Sequence, residues 1–218
     1  MERSSESALG LLSDGLSLYR LHFSAFFGPV AMIYLPYYIV LSLLRNLPPG
    51  PAIVWMGTLG TLAQALATAS VVWTTAQVRE GKQIGIGEAL GAISVGVVGR
   101  LLGALVPALF LITLGIMIFV VPGLLFLVWF ALAGQVAVLE GRTFWSALRR
   151  SRELVKGRGW RVFYLLILFI CLNFLLVALP LTLLPRFAAP LGQVLGLLFL
   201  PYPLIVMTLL YLRAREEL

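Results

Sequence analysis

The chain reads as an all-α polytopic membrane protein of six transmembrane helices, arranged as three hairpins with amphipathic interfacial helices on the cytoplasmic side. Three observations predict this class. Hydrophobic residues make up 61% of the 218 positions and charged residues 11%, against about 45–50% and about 25% in soluble domains. Sixteen basic and nine acidic side chains are too few to clothe a water-soluble surface of this size. Six apolar stretches approach or exceed the roughly 20 residues that cross a bilayer as a helix, and the basic residues between them are segregated into alternate connections. The whole chain, 1–218, is accordingly expected to be a single integral membrane domain.

The spans fall at about 23–44, 52–78, 99–119, 122–139, 161–183 and 190–212. The third and fourth form one apolar block from Leu101 to Leu139. The cut belongs at Val120-Val121-Pro122-Gly123, because Pro-Gly signals a turn and one uninterrupted helix would overrun the bilayer. That pair is then a tight hairpin. Pro29 and Pro36 interrupt the first span, Pro107 the third and Pro201-Tyr202-Pro203 the sixth. Each proline removes a helix hydrogen bond, which either kinks a packed helix or opens a broken-helix site near midplane.

Orientation follows from the charges. Only Arg45 and Arg186 lie in one set of connections; the other fourteen Lys and Arg lie in the second set, seven of them between Arg142 and Arg161. By the positive-inside rule this second side, carrying both termini and all nine acidic residues, is cytoplasmic. Met1 to Glu6 lacks the basic region of a signal peptide, and the first apolar run is longer than a signal core. Cys171 is the one cysteine, so no intrachain disulfide is expected. The net charge of +7 has anionic lipid headgroups as its nearest partner, with no nucleic acid implied.

The three cytoplasmic segments that precede the odd-numbered spans resemble one another. Each carries an apolar or small stripe at i, i+3, i+4, i+7 and i+11: Leu12, Gly15, Leu16, Tyr19, Phe23; then Ile86, Ala89, Leu90, Ile93, Val97; then Phe144, Ala147, Leu148, Ser151, Val155. Any amphipathic helix shows such a stripe. Read as repetition, it divides the chain into units 8–78, 82–139 and 140–213, each with two spans, around a pseudo-threefold axis along the membrane normal.

The third of these helices is the sharpest. Thr143 is placed to N-cap it and Gly157 to end it in the left-handed conformation. Its apolar stripe, joined by Leu154, occupies one face and its basic residues the rest, the pattern of a helix lying in the headgroup plane. Arg149, Arg150, Arg152, Lys156 and Arg158, with the interfacial Trp145 and Trp160, are the candidate residues for binding anionic lipid or an acidic partner. The plainer reading is topological anchoring and a cover for the bundle.

The run from Val121 to Ala133 (VPGLLFLVWFALA), Val138-Leu139-Glu140-Gly141, and the run from Ala147 to Phe163 (ALRRSRELVKGRGWRVF) resemble one family group. They are similar to the bacterial integral membrane proteins related to the membrane domain of glycerophosphodiester phosphodiesterases, the YciC-like proteins among them. The likeness is concentrated at about 120–165. It implies a non-catalytic membrane module in the bacterial cytoplasmic (inner) membrane, and this chain carries no soluble catalytic domain of the kind those enzymes have. No enzymatic activity transfers with it.

The residues agree. The single histidine, His22, stands at a helix end, and no HExxH, CxxC, Walker A or GxSxG pattern occurs. No catalytic, metal or cofactor site is expected. No acidic residue or lysine lies within a span, so ion-coupled transport lacks its usual titratable groups. Polar side chains in the spans include Thr58, Thr61, Gln64, Thr68, Ser70, Thr74, Thr75 and Gln77 in the second, Gln135 in the fourth, Asn173 in the fifth and Gln193 in the sixth. Gln64, Thr68, Gln135 and Asn173 are the candidates for a polar cavity; the alternative is close packing with hydroxyls bonded back to their own helix. Gly99 with Gly103, and Gly192 with Gly196, read as packing pairs.

The sequence thus predicts a non-enzymatic inner-membrane protein that binds lipid, a protein partner or a second copy of itself through basic cytoplasmic helices, in membrane or envelope organisation. The competing expectation is an uncoupled transporter, channel or lipid-translocating protein that uses the polar second span.

Overall fold

A computed structural model describes residues 8–44, 48–183 and 188–217; Arg3, Arg45 and Arg186 of the charge pattern lie outside them. Every element among the described residues is a helix: α1 (Ala8–Leu21), α2 (Phe23–Leu43), α3 (Pro49–Arg79), α4 (Ile86–Gly91), α5 (Val95–Ile118), α6 (Val120–Trp129), α7 (Ala133–Leu139), α8 (Phe144–Val155), α9 (Gly159–Leu183), α10 (Ala188–Phe199) and α11 (Pro201–Glu216). Five stretches are long and apolar enough to cross a membrane: Phe23–Leu43, Val95–Ile118, Val120–Leu139, Gly159–Leu176 and Leu191–Glu216. The 31-residue α3 has the length, about 46 Å at 1.5 Å per residue, but its threonines and glutamines keep it outside that apolar set. Its position explains why it tolerates them. Twelve of the sixteen residues 63–78 of α3 are buried, so protein surrounds most of that half.

Burial divides the apolar stretches into two kinds. In α2, α5 and α9 only 17–22% of the spanning residues are buried, against 44% in α6–α7 and in α10–α11. The inner helix α3 packs on both α7 and α11. Small residues make that close contact feasible, as van der Waals packing between membrane helices requires: Ala63, Ala65, Ala67 and Ala69 on α3, Ala133 and Ala137 on α7, all buried.

Several boundaries differ from the sequence expectation, each for a local reason. The break between the third and fourth apolar runs is at Phe119, in an extended conformation, with Pro122 and Gly123 already inside the first turn of α6. The chain reverses there because two glycines let backbones touch. A Cβ on Gly115 would lie 2.9 Å from the Gly123 Cα, and one on Gly123 would lie 2.7 Å from the Ile116 nitrogen. Pro29 and Pro36 do not interrupt α2, nor Pro107 α5; only the sixth run breaks, before Pro201, which takes the first helical turn where its missing N–H costs nothing. A further break, between α6 and α7, has its cause twenty residues away. Ser151 of α8 donates its hydroxyl to the Trp129 carbonyl (2.7 Å) and accepts from the Leu132 N–H (3.2 Å). The polar member of the third stripe thus satisfies the groups that the interrupted helix leaves open.

The three short helices sit against spans that precede them or close the chain. α4 packs on α2 and α3, α8 on α5, α6, α7 and α11, and α1 on α11, α2 and α9. The Ser70 hydroxyl donates to the Ala89 carbonyl of α4 (3.0 Å), and the Tyr202 hydroxyl donates to the Leu12 carbonyl of α1 (3.1 Å). The second stripe position is small and buried in all three: Gly15, Ala89 and Ala147. The five-position stripe fits one helix only in α8; in the other two it runs across a break into α2 or α5. Gly157 ends α8 with φ +82°, the left-handed turn expected of it. The expected side-chain cap at its start is carried instead by Ser146, whose hydroxyl accepts from the Thr143 N–H (3.3 Å).

The last turns of α11 tie one end of the bundle together. Tyr211 bonds to Glu140 at the end of α7, Arg213 pairs with Asp14 of α1, Glu216 with Arg79 at the end of α3 (3.0 Å), and Glu217 with Arg158 just before α9. The charged connections that the sequence spaced apart therefore meet at a single charged end.

Candidate functional site

A cleft of about 980 Å³ opens among α2, α3, α7, α9, α10 and α11. Its walls are mostly apolar, with Phe169, Ile170, Leu197, Leu204 and Met207 among the lining side chains. Into this apolar space project four carboxamides from four different helices: Gln64 of α3, Gln135 of α7, Asn173 of α9 and Gln193 of α10. Tyr34 and Tyr38 of α2 complete the polar set. No Asp, Glu, Lys, Arg or His is among the described residues that line it.

The carboxamides are not equivalent. The Tyr34 hydroxyl donates to the Gln64 Oε1 at 2.8 Å, which leaves the Gln64 amide N–H groups for the cleft. Gln135 is 4% exposed and makes no side-chain hydrogen bond among the described residues, yet its polar atoms are not sealed off. What remains accessible of Gln135 faces the cleft it lines. Leaving a carboxamide in an apolar interior without a partner costs roughly 1–3 kcal/mol by mutational measures, and the cleft is the space from which a partner reaches Gln135.

Three of the four cavity residues expected from sequence, Gln64, Gln135 and Asn173, meet here. Thr68 does not. It is buried in α3, and its hydroxyl donates to the Gln64 carbonyl one turn back (2.8 Å); Thr58, Thr61 and Thr75 bond back in the same way. The glycine pairs change meaning. Gly192 and Gly196 line the cleft, and a Cβ on Gly196 would meet nothing within 4 Å. Gly103 lies against Phe144, while Gly99 faces open space. Gln193 stands in the sequence only as an isolated polar residue, and nothing local marks Tyr34, Tyr38 or Gln193 as members of one site.

The basic helix is differently placed from a helix floating on headgroups. Ala147, Leu148, Ser151, Leu154 and Val155 are buried against protein, so the apolar face expected to dip into lipid is already covered. Phe144 is the exception, exposed and with φ +46°. Arg150 is engaged with Glu140 (3.2 Å) and Glu153 (3.4 Å). Burial by itself lowers its pKa, but the hydrogen bonds and charges of those two carboxylates outweigh it and hold the guanidinium above its ordinary value. Arg158 is held by Glu217, and the Arg152 guanidinium stacks 4.0 Å over the Trp129 ring. Arg149 and Lys156 are exposed without a carboxylate partner among the described residues, and Trp145 and Trp160 are exposed.

Trp160, Arg158 and Arg161 also border a second hollow of about 630 Å³ between α6 and the start of α9, whose apolar wall is Val121, Leu124, Leu125 and Val128. Glu140, 11% exposed, is taken up by Arg142 (2.9 Å), Arg150 and Tyr211 (2.9 Å). These partners tie it to the charged end. No group of three or more His, Cys, Asp or Glu able to hold a metal occurs among the described residues.

Comparison of the chain with family models, with curated proteins and with solved structures finds no match.

Proposed function

We propose that this is a multi-pass membrane protein that holds a lipid-like molecule in the cleft between its helices, as an uncoupled carrier or lipid-translocating protein. One observation carries the reading: the buried Gln135 carboxamide, without a side-chain hydrogen bond among the described residues, opens onto a cleft shared with three further carboxamides. A carboxamide within a membrane span needs a hydrogen-bonding partner, and the cleft is the space from which one reaches Gln135. The absence of charged groups from the lining among the described residues supports an uncoupled mechanism over an ion-driven one, and nothing in the chain's motifs favours an enzyme. The likeness to the membrane module of glycerophosphodiester phosphodiesterases and YciC-like proteins belongs to the same proposal.

In this reading α3 is a further crossing, giving six in three two-crossing units, with the charged end in the bacterial cytoplasm. Support comes from the cyclic placement of the short helices. α4 rests on the spans of the first unit, α8 on those of the second and α1 on those of the third, as a pseudo-threefold arrangement requires. The experiment is native mass spectrometry of the detergent-purified protein and of Gly196→Leu, which fills the cleft where there is open space. Wild-type protein is expected to retain a lipid-mass adduct that Gly196→Leu lacks. Identical adducts on both would overturn the reading.

A second reading rests on the hollow between α6 and α9. Arg161, without a carboxylate partner among the described residues, and the first-turn N–H groups of α9 meet an apolar groove beside the exposed Trp160. That combination suits an anionic phospholipid, and with Arg149 and Lys156 it keeps the basic face of α8 as a lipid- or partner-binding surface.

A further inference from the structure

The cleft's chemistry selects among lipids. Among the described residues its lining carries no charge, so an anionic phosphate or a quaternary ammonium group would enter an apolar space with no counter-charge there, which is costly inside a protein and more so inside a bilayer. The headgroup that suits it is therefore neutral.

The carboxamides narrow the choice further. Each offers a carbonyl acceptor and an NH₂ with two donors. At Gln64 the acceptor is already used by Tyr34, leaving donors; Gln135, Asn173 and Gln193 have both kinds free among the described residues. A ligand with acceptors alone, such as a quinone, would satisfy the N–H groups and leave the carbonyls bare. A fatty alcohol has one hydroxyl for four carboxamides. Several hydroxyls in one headgroup supply donors and acceptors together, matching the set. The remaining wall, Phe169, Ile170, Leu197, Leu204 and Met207, is the surface an acyl chain would cover, and the volume of about 980 Å³ stands at the upper end of ligand sites, which run to about 1,000 Å³.

We infer that the cleft binds an uncharged lipid whose headgroup carries two or more hydroxyls, of the monoglyceride or glycosyl-diglyceride class, with Gln135 as the central hydrogen-bonding residue. The inference rests on the cleft being a binding site, and its test separates the two claims. Purified protein is titrated with monooleoylglycerol, monoglucosyl-dioleoylglycerol, dioleoylphosphatidylglycerol and dioleoylphosphatidylcholine, and binding is followed by native mass spectrometry. The variants are Gln135→Leu, Asn173→Leu and Gly196→Leu. Asn173 is exposed, so its replacement leaves the fold intact even where Gln135→Leu perturbs it.

The expected result is preferential binding of the two hydroxylated neutral lipids. Each carboxamide variant weakens it about tenfold, the scale of one lost hydrogen bond that leaves its partner unpaired, and Gly196→Leu abolishes it. Tighter binding of phosphatidylglycerol or phosphatidylcholine, lost in Gly196→Leu, would overturn the ligand class while leaving the cleft as a site. Binding of all four lipids that no variant alters would overturn both.

Discussion

The two halves of the inner helices are built from different materials. Toward the charged end, every residue from Ala133 to Ala137 and from Ile205 to Tyr211 is buried, as is most of α3 from Ala63 to Val78. Away from it, none of residues 53–62 is buried, and of the described side chains of α10 only Gly192 is. The packed half uses small residues, hydroxyls bonded back to their own helices, and ion pairs at its rim. The open half presents large apolar side chains such as Ile53, Val54, Trp55 and Val194 outward. The cleft begins where one half gives way to the other, with Gln135, Leu204 and Met207 on the packed side and Gln193 and Gly196 on the open side. The packed half thus serves as a floor and the open half as the entrance.

That contrast can be broken from the packed side first. Removing residues 211–218 deletes Tyr211, Arg213, Glu216 and Glu217, which join α11 to α7, α1, α3 and the start of α9. The shortened chain is expected to yield no monodisperse protein on size-exclusion chromatography. Glu140→Ala leaves Arg150 and the buried Tyr211 without their shared carboxylate, and is expected to cost about 3 kcal/mol, as removal of one member of a buried pair does. Thermal unfolding in detergent measures it. Ser151→Ala uncovers the Trp129 carbonyl and the Leu132 N–H at the α6–α7 break, with an expected loss of about 2 kcal/mol by the same assay.

The smallest effect is electrostatic. Burial pushes the Tyr19 phenol from 10.0 up to about 12, and its hydroxyl donates to the Leu198 carbonyl (2.9 Å). A raised pKa means the folded state favours the neutral form, so this contribution is whole below pH 10 and is lost as pH rises toward 12. Between those values the melting temperature of the wild type should fall more than that of Tyr19→Phe.

The helices were legible because a run of about 20 apolar residues is a local property of the chain, and so was the left-handed end of α8 at Gly157. Breaks were less so. Pro29, Pro36 and Pro107 stay inside continuous helices, whereas the break at Phe130–Leu132 carries no proline and depends on Ser151, a residue that reads as an imperfection in an apolar stripe. The site was legible as ingredients and not as an arrangement. Gln64, Gln135 and Asn173 are conspicuous as carboxamides within spans, but their convergence is tertiary, and Tyr34 and Gln193 join only through it. The basic face of α8 looked like a membrane-binding surface because periodicity cannot say whether an apolar stripe meets lipid or protein.

The most direct test of a floor beneath an open cleft is thiol accessibility in a Cys171→Ser background, since Cys171 is itself exposed. Gln135→Cys and Thr74→Cys are each treated with a small water-soluble methanethiosulfonate reagent in proteoliposomes. Both positions are buried, but only Gln135 faces the cleft. The expected result is rapid labelling at 135, blocked by adding Gly196→Leu, and none at 74. Equal protection at both positions, or equal labelling at both, would contradict the account.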